Sequence, residues 1–134
     1  MMAVCVDPKR INEVWPHVSH FIKDAYASGI GDETFEIIEA EILKGEALLW
    51  LAGDDQIIFA AAATRISIFP TKKVCSVLAV SGQEMDEWAT ECLLGIEAYA
   101  KEEKCDVVRL CGRQGWKRMF KDYSEPWIIL EKRL

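Results

Sequence analysis

The chain switches between two spacings of apolar residues. From Ile11 onward, Ile11, Val14, Trp15, Val18, Phe21, Ile22 and Ala25 recur three and four apart, which is one face of a helix. Asp7-Pro8 supplies the start signal, Asp as N-cap and Pro as the first helical residue. Pro16 falls inside the pattern and predicts a kink or two short helices. After the glycines of "SGIGD", Asp32 is expected to cap a second helix. That helix carries Phe35, Ile38, Ile42 and Leu43 on one face and Gly45 as its stop.

The spacing then shortens. "ALLWLAG", "IIFAAAATRISIF" and "VCSVLAVSG" are apolar runs separated by the turns "DDQ" and "PTKK". They predict three antiparallel strands in a meander. Ala60 to Ala63 would suit a helix on propensity alone, but β-branched and aromatic neighbours and flanking turns favour a strand. "EMDEWATECLLGIEAYAKEEK" returns to helical spacing through Trp88, Cys92, Leu93, Ile96, Tyr99 and Ala100. "CDVVRLC" predicts a buried strand, "QGWKRMFKDY" a helical turn and "WIILEKRL" a final strand. "AVCV" adds a short strand at the start. In "WIILEKRL" both alternating faces begin apolar, so the strand is expected to be covered on both sides, and a homodimer contact is one way to cover it. The order β, αα, βββ, α, β, α, β predicts an α/β (α+β) protein. Its sheet would be mixed, mostly antiparallel and of six to seven strands, with helices on both faces. The strand–helix–strand unit implies a parallel crossover. Residues 1–134 are expected to form a single domain.

Composition narrows the function classes. Half of the residues are hydrophobic (51%), enough for a real core, and five are tryptophans. The formal net charge of -6 argues against bulk affinity for nucleic acid or an anionic membrane, and no apolar run has the length of a membrane span. Five cysteines stand at 5, 75, 92, 105 and 111 with no C-x-x-C pair. They read as free, mostly buried thiols in a reducing cytoplasm rather than zinc ligands or a disulfide framework.

Several residues carry candidate chemistry. His17 and His20 lie three apart on a helix with Asp24 and Glu13 nearby, either a metal-chelating set or exposed surface groups. Glu46 and Glu84 are carboxylates at positions suited to a general base. Cys111 ends a strand between Arg109 and Arg113, which would favour its thiolate; a buried structural thiol is the alternative. The basic cluster Arg109, Arg113, Lys117, Arg118 and Lys121 has no acid between Asp106 and Asp122. It reads as a phosphate clamp, a nucleic-acid patch or a solvated helix face.

The element order, over nearly the whole chain, resembles the GNAT fold of the Gcn5-related N-acetyltransferases, and is similar in kind to small GNAT-like proteins encoded by bacteriophages. The resemblance implies an acyl-CoA donor, acetyl-CoA, entering between the fourth and fifth strands, and a small-molecule or protein amine as acceptor. The family's pyrophosphate loop corresponds to "SGQEMDEW". On that match, backbone near Val80 polarises the thioester, and Ser81, Gly82, Gln83 and Glu84 hold the diphosphate at a helix start. "RQGWKRMF" matches the segment after the fifth strand. Arg113 stands at the family's Asn, and Phe120 stands where the family has a Tyr that protonates the departing thiolate. Tyr123, three residues on, is the candidate acid in its place. The same scaffold without catalysis, a binding or assembly protein, is the alternative reading, because function lives in the site and not in the fold.

Overall fold

The structure is a computed structural model that describes residues 2–27, 31–83, 85–112 and 115–134. Five strands form one sheet in the order β1-β2-β3-β4-β5. They are β1 Met2–Cys5, β2 Leu48–Gly53, β3 Ile58–Ile68, β4 Lys73–Gly82 and β5 Val107–Leu110. The first four are antiparallel neighbours and β5 joins β4 in parallel. The helices are α1 Ile11–Tyr26, α2 Phe35–Lys44, α3 Met85–Glu102 and the short α4 Trp116–Met119.

Strand alternation divides the core in two. Leu49, Leu51, Ala61, Ala63 and Ala79 pack under α1 and α2 with Ile11, Trp15, Val18, Ile22, Ile38 and Ile42. Trp50, Ala60, Ala62, Cys75 and Val77 face the other way, against Trp88, Cys92, Leu93 and Ile96 of α3. The four consecutive alanines sit in the middle of β3 at 1% exposure or less, so small side chains let helices approach both faces closely. Thr64 is the buried polar residue of this core, and its hydroxyl accepts the indole N–H of Trp50 at 2.9 Å.

Local signals explain most element ends. Asp7 accepts the Lys9 N–H at 2.9 Å and Pro8 opens a 3-10 turn into α1. Gly45 ends α2 at φ 79°, a left-handed conformation that glycine adopts without a Cβ penalty. Four expectations are corrected. α1 runs unbroken through Pro16, because the amide that Pro16 lacks belongs to an exposed face, while the buried Ile11, Trp15, Val18 and Ile22 hold the helix down. Thr34, not Asp32, occupies the N-cap of α2, without a side-chain hydrogen bond. β5 is a half-exposed edge strand rather than a buried one. Among the described residues the sheet has five strands, not six to seven. "WIILEKRL" forms no strand, because nothing in the fold pairs with it, and Ile128, Ile129 and Leu130 are 64%, 75% and 85% exposed.

Candidate functional site

The end of β4 organises the site. β3 and β4 pair in regular register until Thr64↔Val77, then resume at Ala63↔Ala79, so Leu78 is an extra residue in β4. Such a bulge bends a strand and turns two consecutive side chains to one face. Leu78 and Ala79 both pack toward α1 and α2, while Val77 and Val80 face α3. The β4–β5 ladder ends at Val77↔Leu110, one residue before the bulge. Among the described residues, β4 from Leu78 to Gly82 therefore has no β5 partner, because β5 itself ends at Leu110.

On the α3 side of this unpaired edge lies an apolar cleft. It is lined by Val77, Val80, Leu110, Trp116 and Phe120 together with Trp88, Ala89, Cys92, Leu93 and Ile96 of α3, and it holds only about 20 Å³. That is room for about one water. Trp88 is fully buried, and its indole N–H donates to the Gln83 carbonyl. The Gln83 N–H donates in turn to the Phe59 carbonyl at 3.0 Å. Both backbone groups of Gln83 are thus used within the fold. Gly82 has φ 152°, and a Cβ there would lie 2.3 Å from the Ala60 Cβ and 2.4 Å from the Phe59 oxygen. A larger residue at 82 would push β3 and β4 apart, so the glycine is required by strand packing whatever the loop binds.

On the opposite face lies a polar groove of about 670 Å³, lined by His17, Val18, His20, Phe21 and Asp24 of α1 and by Gln56, Ile57, Ile58, Ser81, Gly82 and Gln83. Its helical residues recur at three and four, so one face of α1 supplies them all.

Several site residues read from the sequence come together at this strand end: Val80 in the cleft, Ser81, Gly82 and Gln83 in the groove. Glu84 and Arg113 lie outside the described residues. Tyr123 packs against Phe120, a cleft residue, with ring centres 6.1 Å apart. Its hydroxyl donates to Glu97 Oε2 at 2.7 Å. Burial first, then this hydrogen bond and the Glu97 charge, hold the phenol well above its usual pKa. Glu46 is exposed beside the start of β2, whereas the β4 tip is level with Ala52 near its end, through the rung Ala52–Ala60–Gly82. That distance along the strand removes Glu46 as a base.

Cys111 and Cys5 are exposed, against the expectation of mostly buried thiols. Burial pushes Cys75 and Cys92 up to about 11. The basic cluster is dispersed: Arg109 lies over Trp127 at 4.8 Å and Phe69 at 5.8 Å, and Lys117 pairs with Glu125. Glu13 pairs with Arg10. Among the described residues, no group of three or more His, Cys, Asp or Glu could hold a metal. Among the described residues, no helix is long and apolar enough to cross a membrane.

Sequence reasoning missed the anchoring role of Trp88, the Glu97 partner of Tyr123 and the Ile57–Ile58 wall of the groove. Trp88 was legible only as a core residue. Glu97 gave no signal, because an acid on a helix is unremarkable until the chain folds Tyr123 against it.

No protein-family model matches the chain, and no curated protein does. Solved structures do. A predicted acetyltransferase with acetyl-CoA from Clostridium acetobutylicum matches with TM-score 0.65 at 16% identity, over 96% of this chain and 94% of that one. A GCN5-related N-acetyltransferase from Ralstonia eutropha matches with TM-score 0.69 at 10% identity, over 98% and 97%. A ribosomal-protein-alanine N-acetyltransferase from Brucella melitensis matches with TM-score 0.64 at 12% identity, over the whole of both chains. The chain has the GNAT fold.

Proposed function

We propose that the protein is an acyl-CoA-dependent N-acetyltransferase that moves an acetyl group to an amine carried by a small molecule or a protein. The observation that carries this is the edge of β4 from Leu78 to Gly82, which past the end of β5 has no partner among the described residues, inside a GNAT fold. The backbone fits an acyl-CoA arm along that edge. The side chains set a condition: at about 20 Å³ the cleft admits the arm only when Trp116 and Phe120, half-buried on and beside α4, move outward. When bound, acetyl-CoA would supply the activated acetyl thioester. Backbone at Val80 lies at the free edge, while Ser81, Gly82, Glu84 and Arg113 are the groups proposed to hold the diphosphate. Tyr123 is the proposed proton donor. Its raised pKa keeps the phenol protonated at neutral pH, with Glu97 fixing its hydroxyl.

A second reading is favoured by a specific observation. Trp88, Trp116 and Phe120 fill the cleft and both backbone groups of Gln83 are engaged, as in a scaffold that binds a partner without catalysis. Calorimetric titration with acetyl-CoA and free CoA separates the two. Micromolar binding is expected for the transferase. No heat and no thermal stabilisation at millimolar ligand would sink it.

A homodimer is proposed on separate grounds. Trp127 is held over Arg109 and, at 5.5 Å, by Lys72, and Ile128 to Leu130 extend beyond it into solvent. The same segment of a second copy, antiparallel, would cover them. Sedimentation should find a dimer at micromolar concentration, lost when the chain ends at Trp127. A monomeric full-length chain would rule it out.

A further inference from the structure

We propose that the surface where the β3–β4 turn, β5 and Trp127 meet is a binding site for a phosphate monoester carried on a flat ring. Phe69, Lys72, Arg109 and Trp127 build it. Backbone hydrogen bonds fix the turn and the strand. The Phe69 N–H donates to the Lys72 carbonyl at 2.8 Å and closes the turn between β3 and β4. Arg109 is held in β5 opposite Ser76 of β4. The turn is tied to the start of β5 twice: the Asp106 N–H donates to the Lys73 carbonyl, and the Lys73 N–H donates to Asp106 Oδ2, both at 2.8 Å. The Arg109 guanidinium lies over Trp127 at 4.8 Å and over Phe69 at 5.8 Å, and the Lys72 ammonium lies over the same indole at 5.5 Å.

The ring contacts account for each cation by itself, because an aromatic face attracts a positive charge. They do not account for two cations on one indole. Those two repel each other, and the ring carries no net charge to cancel either. In a chain with a formal net charge of -6, an acid would be the ordinary neighbour. Among the described residues, neither Lys72 nor Arg109 forms an ion pair. The acids beside the cluster in sequence are engaged elsewhere, Asp106 with the Lys73 N–H and Glu125 with Lys117. An oxyanion between the two side chains removes the repulsion. A phosphate monoester fits the pair: it carries about -1.5 to -2 charges at pH 7, and its oxygens take a guanidinium fork on one side and an ammonium on the other. Ile68, Phe69 and Trp127 are exposed, an apolar surface that a flat ring covers and inorganic phosphate leaves wet. The site is separate from the cleft. Val108 and Leu110 pack on the α3 side, so strand alternation turns Arg109 to the opposite face. It also stops short of the proposed dimer contact, which begins at Ile128. Binding here needs neither acetyl-CoA nor a transfer reaction.

The test uses the full chain with no CoA present. Phenyl phosphate is titrated at low salt while the Trp127 indole N–H resonance, assigned with Trp127→Phe, is followed by NMR. Inorganic phosphate and benzyl alcohol supply the anion and the ring alone. Phenyl phosphate should bind in the millimolar range, at least fivefold more tightly than either control, and more weakly as sodium chloride is added. Lys72→Gln, a change in a surface turn that should leave the circular dichroism and melting point unaltered, should weaken it at least fivefold. Uridine 5′-monophosphate distinguishes the source of the ligand: tighter binding than phenyl phosphate assigns the site to a nucleotide, and weaker binding assigns it to an aryl phosphate. An unmoved Trp127 resonance, equal binding of either control, or an unaffected Lys72→Gln variant would overturn the proposal.

Discussion

The two faces of the β4 tip are built from the same few residues and end in opposite states. On the α3 face, Val77 and Val80 meet a fully buried Trp88, and side chains leave about 20 Å³. On the α1 face, Ser81, Gly82 and Gln83 meet exposed polar residues across a groove of about 670 Å³. The difference follows from strand alternation. Past the Leu78 bulge, β4 turns Val80 to one side and Ser81 to the other, so one face inherits hydrophobic closure and the other an open polar edge. The α1 face is open as it stands, and the α3 face is closed by aromatic side chains.

The sharpest way to break this contrast is to remove those aromatic gates one at a time. Trp88 is 0% exposed, so Trp88→Ala should lower stability by about 3–5 kcal/mol and shift the urea midpoint accordingly. Phe120 is only half-buried, and Phe120→Ala should cost about 1–2 kcal/mol. The two should part in ligand binding. Phe120→Ala widens the cleft without disturbing the α3 anchor, and acetyl-CoA should bind it at least as tightly as the parent. Trp88→Ala releases the Gln83 carbonyl as well and should loosen the loop. If Phe120→Ala binds acetyl-CoA more weakly, the ring is a contact and not a gate.

Most of the scaffold was legible because each element carried more than one signal. The run Ala60 to Ala63 is ambiguous by itself, and its β-branched neighbours and flanking turns decided it. The stop at Gly45 and the start at Asp7-Pro8 rest on backbone chemistry that needs no partner. "WIILEKRL" shows the opposite case. Its alternation of apolar residues is a strand pattern, but a strand exists only when another strand accepts its hydrogen bonds, and the sequence cannot show whether one is present. The site was less legible. Gly82 and Val80 were singled out through the resemblance, and they lie on the stretch of β4 beyond the end of β5. His17, His20 and Asp24 were visible only as a metal-spaced set or as exposed surface groups. Their part in a groove depends on β3 and β4 tips more than thirty residues away, which no local pattern encodes.

The smallest expected effect concerns Tyr123, and it separates structure from chemistry. Its hydroxyl donates to Glu97 at 2.7 Å between two half-buried side chains, so Tyr123→Phe should cost about 1 kcal/mol at neutral pH. The pH dependence has a definite sign. The folded phenol's pKa is raised above its ordinary value of 10.0, so its stabilisation is complete below about pH 10 and fades as the pH rises beyond that. Cys75, Cys92 and Tyr99, raised by burial to about 11, 11 and 12, also weaken the fold in alkali. They do so equally in parent and variant and cancel in the difference. Urea midpoints at pH 7 and above pH 10 should therefore show the gap between parent and Tyr123→Phe narrowing in alkali. A gap that stays constant would mean the hydroxyl is not held as described. The same variant answers the chemical question. If Tyr123 protonates the departing thiolate, acetyl-CoA binding should survive Tyr123→Phe while transfer to the amine slows by about 10²-fold or more. If Tyr123 serves only to tie the segment after α4 to α3, the stability gap should appear with no change in the rate of transfer, and the thiolate must take its proton from water.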